Sequence, residues 1–280
     1  SLRVKTPRHV PALKLWVSMR KIPRCMSTQH PDNVNTPFFA ENKVIGGEDE
    51  IREAYYAFSH LGCEEQMWDC EGKEVDTFVV KKLLTTYEPF FRDLRLGEDL
   101  FLTLRVPNPD VEVAEGKVLL ETLESIPRSF DAARLFYGED VAPIFEIILP
   151  MATSSQSLNR VYHLYRRFVV GKQREPFYEG DITIAEWIGP FKPAEINVIP
   201  LFEDREHILG AHQIVREYLE DKKAEYQRVF LARSDPALNY GYASAFLAGE
   251  IALLKLHRLE ERLEKPIYPI LGPGTVPFRG

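Results

Sequence analysis

The sequence predicts an α/β fold, a (β/α)₈ TIM-type barrel that lacks its last unit in this chain. From Met19 onward, short apolar segments alternate with long amphipathic ones, which is the pattern of parallel strands joined by helical crossovers. Segments 144–149 and 196–202 are almost continuous apolar runs, as expected of parallel strands covered on both faces. No Gly-rich phosphate-binding turn follows the first strand, which disfavours an open doubly wound sheet.

Seven strands are predicted from the apolar runs. They cover residues 22–27, 65–70, 100–106, 143–149, 196–202, 228–232 and 267–271. A closed barrel has eight strands, so either the eighth lies outside these 280 residues or the count is one short. The Pro- and Gly-rich segment 174–195 is too long for a simple connection and is interpreted as an insertion.

Helices are predicted where apolar residues recur at positions i, i+3, i+4 and i+7. The two clearest sets are Ile51, Ala54, Tyr55 and Phe58, and Leu158, Val161, Tyr162, Tyr165 and Phe168. We expect Asp49 to cap the first of these helices, and Thr153 with Ser154 to cap the second. Asp204 is expected to cap a helix over residues 206–219 rather than to bind a ligand.

The domain organisation is predicted from composition. Residues 1–18, which are basic and contain no acidic residue, are treated as an N-terminal extension, and residues 19–280 as one barrel-type catalytic domain. A formal net charge of −7 argues against a general nucleic-acid-binding surface. No apolar run approaches the roughly 20 residues needed to cross a bilayer, so no membrane association is expected.

The three cysteines, Cys25, Cys63 and Cys70, include no C-x-x-C pair, which predicts neither a disulfide framework nor a zinc site. They are expected to fill the core, as free cysteines commonly do, and Met67 and Trp68 are likewise expected to be packing residues. A chain with unpaired cysteines is typical of a reducing compartment, so a cytoplasmic location is expected.

The carboxyl ends of the predicted strands carry charged residues of both signs. In chain order these are His30 and Asp32; Asp69, Glu71 and Lys73; Arg105; Glu203 and Asp204; Arg233 and Asp235; and Arg279. In a (β/α)₈ barrel the loops at these ends meet at one mouth, where the chemistry takes place. The plainer alternative is a ring of salt bridges, because a charge after an apolar strand often marks only where the chain reaches water.

Two of these carboxylates are predicted to bind a divalent cation. Glu203 and Asp235 follow neighbouring strands, and Mg²⁺ or Mn²⁺ takes one or two carboxylates while keeping several waters. Arg105, Arg233 and Arg279 are predicted to bind a phosphate or carboxylate group, which the planar guanidinium matches. The apolar strands would then end in charge because their tips face an ion and an anionic substrate.

His30 is the candidate for proton transfer. Among the seven histidines, only His30 lies in a Pro- and Asn-containing turn directly after a strand, whereas the others lie in helical patterns or in the N-terminal extension. Its imidazole, with a pKa near neutrality, can move a proton or stabilise an anion. A purely structural histidine remains the alternative on pattern alone.

Six segments of the chain also carry a family resemblance. They are RCMSTQHPDN, QMWDCEGKEVD, TLRVPNP, INVIPLFED, VFLARSDPALNYG and GPGTVPFRG. Together they resemble the archaeal-type phosphoenolpyruvate carboxylases over essentially all of residues 19–280. The resemblance implies a (β/α)₈ barrel enzyme that needs Mg²⁺ or Mn²⁺ and joins bicarbonate to phosphoenolpyruvate, giving oxaloacetate and phosphate through carboxyphosphate and the pyruvate enolate. It also implies a homo-oligomer, usually a tetramer.

The resemblance assigns roles to individual residues. It implies that His30 is the catalytic histidine, that Glu203 and Asp235 bind the metal, and that Arg279 belongs to a catalytic glycine-rich loop. Arg105 and Arg233 are taken as further catalytic and substrate-binding groups, and Asp69 as a substrate-binding group. These assignments complete the predicted site.

The sequence departs from the longer bacterial and plant enzymes in two places: Leu238 stands where they have lysine, and the Gly272, Pro273, Gly274 segment replaces the first arginine of their double Gly-Arg-Gly loop. Archaeal-type chains continue past PFRG, so association with a missing C-terminal part is expected as an alternative to a simple homo-oligomer. Two other functions remain open. One rival function is a metal-dependent C–C lyase or aldolase acting on oxaloacetate-like acids. The other is a non-catalytic truncated barrel that acts with a partner chain.

Overall fold

The computed structural model describes residues 20–29, 36–41, 45–70 and 76–274. In these residues seven parallel strands form one sheet, in the order β1 to β7 along the chain. The strands are β1 (Met26–Ser27), β2 (Glu65–Asp69), β3 (Phe101–Arg105), β4 (Glu146–Leu149), β5 (Asn197–Phe202), β6 (Gln227–Ala232) and β7 (Ile267–Gly272). All seven predicted strands are present, and β1 is the one that differs most, because only Met26 and Ser27 pair with β2.

Helices connect successive strands and cover one face of the sheet. They are α1 (Glu48–Ser59), α2 (Val79–Thr86), α3 (Glu88–Asp93), α4 (Gly116–Tyr137), α5 (Ser155–His163), α6 (Ile184–Ile188), α7 (Arg205–Leu219), α8 (Ser234–Tyr240) and α9 (Tyr242–Leu263). Within the described ranges, no helix is both long and apolar enough to cross a membrane.

The sheet is curled into a half-barrel. The Nη2 atom of Arg228 in β6 lies 2.6 Å from Oε2 of Glu65 in β2. In a flat sheet two strands four positions apart would be about 19 Å from each other. Direct contact between their side chains therefore requires the sheet to curve, with this face on the concave side.

Two apolar cores lie on opposite faces of the curled sheet. The side chains of Met67, Ile148, Ile199, Leu201 and Phe230 cluster on the concave face. Trp68 points the opposite way, into the larger core between the sheet and the helices, and is 1% exposed. Met67 and Trp68 are therefore packing residues, as predicted, since alternate strand residues face opposite sides.

The helix caps are only partly as predicted. Asp204 caps α7 by accepting a hydrogen bond from the His207 backbone N–H at 3.0 Å, and Ser154 caps α5 through the Ser157 N–H at 3.2 Å. The prediction for Asp49 is wrong, because α1 already begins at Glu48 and the Asp49 carboxylate instead accepts from the backbone N–H of Glu41.

Two further expectations are corrected by the structure. Phe168 does not continue the apolar stripe of α5: residues Leu164–Val169 form a π-helical turn, which shifts the register so that Phe168 is 67% exposed and Val169 is buried. Cys63 and Cys70 are buried as predicted, but Cys25 is exposed. Cys25 precedes β1 at the edge of the sheet, where its Sγ donates to Sγ of Cys63 at 3.3 Å.

Gly97, in the turn before β3, is expected to tolerate no side chain. Its φ is +101°, and a Cβ there would overlap the carbonyl oxygen of Ala142. We expect Gly97→Ala to lower the free energy of unfolding by about 2 kcal/mol or more, measured by urea denaturation. Gly210→Ala in α7 is the matched control, because an added Cβ has open space there, and should stabilise the helix by about 0.5–1 kcal/mol. Equal stability of the two variants would contradict the strain argument.

Candidate active site

Asp69 and Arg105 lie side by side at the carboxyl ends of β2 and β3. The strand register pairs them directly, and Nη1 of Arg105 lies 2.9 Å from Oδ2 of Asp69. Both side chains are partly buried, with 20% of Arg105 and 23% of Asp69 exposed. The pair holds the guanidinium at the mouth of the half-barrel. This ion pair also agrees with the plainer alternative, in which the charged strand ends form only a ring of salt bridges.

Glu203 directly follows β5 and lies in the same group of side chains. Its Oε2 accepts a hydrogen bond from the Met151 backbone N–H at 2.6 Å. Burial raises the pKa of the Glu203 carboxyl above its usual range, and the negative charge of Asp235 adds to the increase. The Met151 N–H and the positive charge of Arg105 lower the pKa again. Glu203 is thus electrostatically coupled to the ends of β3, β4 and β6.

Asp235 lies in the first turn of α8, just after β6, and is exposed. The β5 and β6 strands pair through Phe202 and Leu231, so Glu203 and Asp235 leave the sheet on adjacent strands at the same end. The effect of Asp235 on the Glu203 pKa is a repulsion between two carboxylates. A divalent cation between them would relieve it, so these two residues fit Mg²⁺ or Mn²⁺ chemically.

Among the described residues, no group of three or more His, Cys, Asp and Glu side chains is arranged to hold a metal ion. A two-carboxylate site does not need such a group, since Mg²⁺ usually keeps several waters and takes its remaining oxygens from substrate. One oxygen of Glu203 is engaged by the Met151 N–H, and the other is the ligand atom that this site would use.

Arg233 lies near aromatic side chains of α9. It is the residue before α8, and its guanidinium carbon lies 5.9 Å from the ring centre of Tyr242 and 6.0 Å from that of Phe246, both in α9. Its backbone N–H donates to the Gly272 carbonyl at 3.0 Å, which joins the ends of β6 and β7. Its guanidinium thus lies about 6 Å from two aromatic rings of α9, which is the outer limit of a cation–π contact.

His30 and Arg279 lie outside the described residues, as do Asp32, Glu71 and Lys73. The chain next to His30 is described: Oε1 of Gln29 accepts the Asp69 backbone N–H at 2.7 Å, and its Nε2 donates to Oε1 of Glu50 at 3.3 Å. Gln29, the last described residue before His30, therefore contacts the end of β2 at Asp69.

Sequence reasoning missed Met151 and Asn108. Met151 has a φ of +48°, which is rare for a residue other than glycine, and it supplies a backbone group rather than a side chain to the site. Asn108 follows β3 and is 2% exposed, with its amide bonded to the carbonyls of Pro150 and Met151. The sequence could have indicated them only by position, since Asn108 in VPNP and Met151 in LPM both follow a predicted strand. Neither carries a charge, so neither was among the charged strand ends.

The arrangement combines a fixed cation with two carboxylates at one rim. Arg105 can bind an anionic group such as a phosphate or carboxylate. Glu203 and Asp235 can bind a hard cation, which would in turn attract oxygen atoms of the same anion. The chemistry that this suits is the stabilisation of negative charge that develops on a small oxygen-rich acid.

Comparison with known sequences matches residues 22–280 to a family model described as phosphoenolpyruvate carboxylase. The relatives carry the same name. One from Methanothermobacter thermautotrophicus is 66% identical over 260 residues, covering 93% of this chain and 54% of the relative. One from Pyrococcus abyssi is 60% identical over 259 residues, covering 92% and 55%. The chain therefore spans about half the length of the curated relatives it matches.

Comparison with solved structures finds weak similarities, among them the following two. An HpcH/HpaI aldolase from Desulfitobacterium hafniense has a TM-score of 0.46 and 13% identity, covering 88% of this chain and 76% of that one. The citrate synthase SbnG has a TM-score of 0.41 and 11% identity, covering 75% and 69%. Neither likeness bears on the chemistry of this chain.

Proposed function

The chain belongs to the phosphoenolpyruvate carboxylase family, and we propose from this that it carries active-site residues for the carboxylation of phosphoenolpyruvate by bicarbonate, which yields oxaloacetate and phosphate. One observation carries the proposal: within the matched region, the ends of β2, β3 and β5 hold Asp69, Arg105 and Glu203 in one electrostatically coupled group. An anionic substrate with a phosphate and a carboxylate suits such a rim.

Glu203 and Asp235 would hold the divalent cation, Mg²⁺ or Mn²⁺. The support is the mutual repulsion of their charges and the orientation of Glu203 by the Met151 N–H, both within the described residues. When bound, the ion would supply Lewis-acid stabilisation of negative charge on substrate oxygens.

Arg105 would bind the phosphate or carboxylate of the substrate, with Asp69 holding its guanidinium in place. The 2.9 Å ion pair limits the rotation of the guanidinium, so less side-chain entropy is lost when the anion binds. Substrate binding by Asp69, as predicted from sequence, thus becomes indirect in this proposal. Its carboxylate orients the arginine that touches the anion.

His30, Arg233 and Arg279 stay in the proposal with the roles that the resemblance implies. His30 would exchange a proton with the bicarbonate-derived group, and Arg279 would offset negative charge on the phosphoryl group. Arg233 would have to turn from Tyr242 and Phe246 to reach the anion. Segment 272–280, most of which lies outside the described residues, is the candidate lid that would exclude water, because a protonated enolate yields only pyruvate. Segment 174–195 leads into the start of β5, and Lys192 within it pairs with Asp140 before β4, so it lies at the opposite end of the sheet and is not a lid in this proposal.

The proposal also covers the whole fold and its assembly. The sequential order of seven parallel strands and the curl of their sheet support a (β/α)₈ barrel whose remaining unit lies outside these 280 residues. We expect the protein to form a homo-oligomer or to associate with a C-terminal part, as the family resemblance implies.

Phosphate release tests the reaction. The protein is mixed with phosphoenolpyruvate, bicarbonate and Mg²⁺, and both phosphate and oxaloacetate are measured. Equal amounts of the two products, dependent on bicarbonate, would support the proposal. Pyruvate formation from oxaloacetate without phosphate release would favour the lyase alternative instead, and the absence of any turnover would favour the non-catalytic one.

Arg105→Lys tests the anion-binding role. Lysine keeps the charge but lacks the planar fork, so we expect kcat/KM for phosphoenolpyruvate to fall about 10- to 100-fold, the worth of one hydrogen bond to a charged group. The control is Arg166→Lys, since Arg166 also pairs with a carboxylate, that of Glu195 at 3.3 Å, but is 53% exposed. Similar kinetics for both variants would rule out the role proposed for Arg105.

A further inference from the structure

Asn108 makes hydrogen bonds with every polar atom of its side chain. The Nδ2 group donates to the Pro150 carbonyl at 2.8 Å and to the Met151 carbonyl at 3.2 Å, and Oδ1 accepts the Asp110 backbone N–H at 3.1 Å. Carbonyl oxygens only accept, so the amide nitrogen must be the atom that faces them. The residue is a double donor aimed at the turn after β4.

The carbonyl that Asn108 binds and the N–H that Glu203 binds belong to one peptide group. The Pro150 C=O and the Met151 N–H lie across a single peptide bond, and in a planar trans peptide these two bonds point in opposite directions. A donor that fixes the carbonyl on one side therefore aims the N–H at the other side. That side holds Oε2 of Glu203, 2.6 Å from the Met151 nitrogen.

Met151 would not keep this conformation without restraint. Its φ of +48° is a left-handed conformation that is unfavourable for a side chain such as methionine. The second bond from Asn108, to the Met151 carbonyl, holds the far side of the same residue. Two hydrogen bonds from one buried side chain thus bracket the strained residue, which is how such conformations persist at functional sites.

Asn108 is itself held in place. Its backbone N–H donates to Oε2 of Glu112 at 3.2 Å, and its carbonyl accepts the Glu112 N–H at 2.7 Å. Asp110, two residues on, is tied to α5 through the hydroxyl of Ser157 and the guanidinium of Arg160. The donor is thus anchored independently of the turn that it holds.

We propose that Asn108 is a positioning residue, which orients the Glu203 carboxylate through the Pro150–Met151 peptide and leaves the other carboxylate oxygen directed at the metal. The effect on metal binding rests on the proposed function. The hydrogen-bond relay, which runs from Asn108 through the Pro150–Met151 peptide to Glu203, does not depend on that function. Asn108 touches neither substrate nor metal in this proposal; it acts through one backbone amide.

The relay is tested by NMR without metal. The sequence has four methionines, so labelling with [¹⁵N]methionine gives a simple amide spectrum, in which Met151→Leu identifies the Met151 signal. In Asn108→Asp a carboxylate would face two carbonyls, so the peptide should turn away from Glu203. We expect the Met151 amide signal to move upfield and its hydrogen exchange to become about fivefold faster or more, the factor for one lost hydrogen bond.

Mn²⁺ affinity, measured by electron paramagnetic resonance, tests whether the relay affects metal binding. Partners that orient metal ligands are commonly worth 10- to 100-fold in affinity, and we expect Asn108→Asp to weaken Mn²⁺ binding by about that factor. In a Glu203→Gln background the same substitution should cause no further weakening, because its only route to the metal is through Glu203. A purely structural role would weaken binding in both backgrounds.

Asn159→Asp is the matched control, because Asn159 lies in α5 and uses its Oδ1 to accept from Lys222 at 2.6 Å, which an aspartate preserves. Asn108→Ala removes the donor without adding charge and replaces Asn108→Asp if that variant does not fold. An unchanged Met151 amide signal and unchanged Mn²⁺ affinity in a folded Asn108 variant would overturn the proposal. If Glu203→Gln alone leaves Mn²⁺ affinity unchanged, the metal assignment fails, while the amide spectrum still decides the relay.

Discussion

Glu203→Gln is expected to lower the rate of phosphate release by about 100-fold or more and to weaken Mn²⁺ binding, while the fold stays intact. The substitution removes one of the two negative ligands proposed for the metal. Lewis-acid stabilisation is worth several kcal/mol, and each 1.36 kcal/mol corresponds to a tenfold change in rate. Steady-state kinetics and Mn²⁺ titration measure the two effects.

The stability of Glu203→Gln should not fall with its activity. A glutamine oxygen can still accept the Met151 N–H, so the hydrogen bond at 2.6 Å is retained. Burial raises the pKa of Glu203, which means that the folded state disfavours its ionised form. Its contribution to stability is lost as pH rises through the raised pKa, and glutamine removes this loss. Above that pH, the melting temperature of Glu203→Gln should therefore equal or exceed that of the wild type.

Glu206→Gln is the control for charge alone, because Glu206 lies three residues further on and is exposed in the first turn of α7. It should leave both the rate and Mn²⁺ affinity unchanged. Wild-type Mn²⁺ affinity in Glu203→Gln, or a melting temperature well below that of the wild type, would show that Glu203 is structural.

Arg228→Met is expected to destabilise the protein by about 3–5 kcal/mol, the usual effect of removing one partner from a buried ion pair. Nη1 and Nη2 of Arg228 contact both oxygens of Glu65 at 2.8 and 2.6 Å, and Nη1 also lies 2.9 Å from Glu146. All three side chains are almost fully buried on the concave face. Without the arginine, two carboxylates would remain in the interior with no cation.

The loss should grow with pH. Burial, and then the charge of Glu65, already raise the pKa of Glu146 in the wild type, against the attraction of Arg228. Without Arg228 the folded protein would hold protons that the unfolded chain has released, so the stability of the variant falls as pH rises. Urea denaturation at several pH values measures this slope.

Two controls separate the missing charge from the missing volume. Replacing all three residues, with Arg228→Met, Glu65→Leu and Glu146→Leu together, should recover most of the lost stability, because apolar side chains of similar size often replace buried ion networks without penalty. Arg166→Met removes a half-exposed arginine paired with Glu195 at 3.3 Å and should cost at most about 1 kcal/mol. If Arg228→Met costs no more than Arg166→Met, the buried network does not stabilise the fold.

The sequence by itself determined where the strands lie and which of their ends are charged. The apolar runs that predict β2 to β7 are local signals, since a strand buried on both faces needs consecutive apolar residues whatever its neighbours are. The caps Asp204 and Ser154 were likewise predictable, because a cap bonds to a backbone N–H only three residues away. Asp49 failed as a cap because the distant backbone N–H of Glu41 competes for its carboxylate.

Only the tertiary structure decided which groups meet. Arg233 ends an apolar strand as Arg105 does, yet it lies against Tyr242 and Phe246, while Arg105 pairs with Asp69. Arg228 meets Glu65 from 163 positions away because the sheet curls. The partner of Glu203 is the backbone N–H of Met151, and every residue except proline has such a group. These contacts cannot be predicted from the spacing of residues in the sequence, because they depend on strand register, sheet curvature and the orientation of one peptide group.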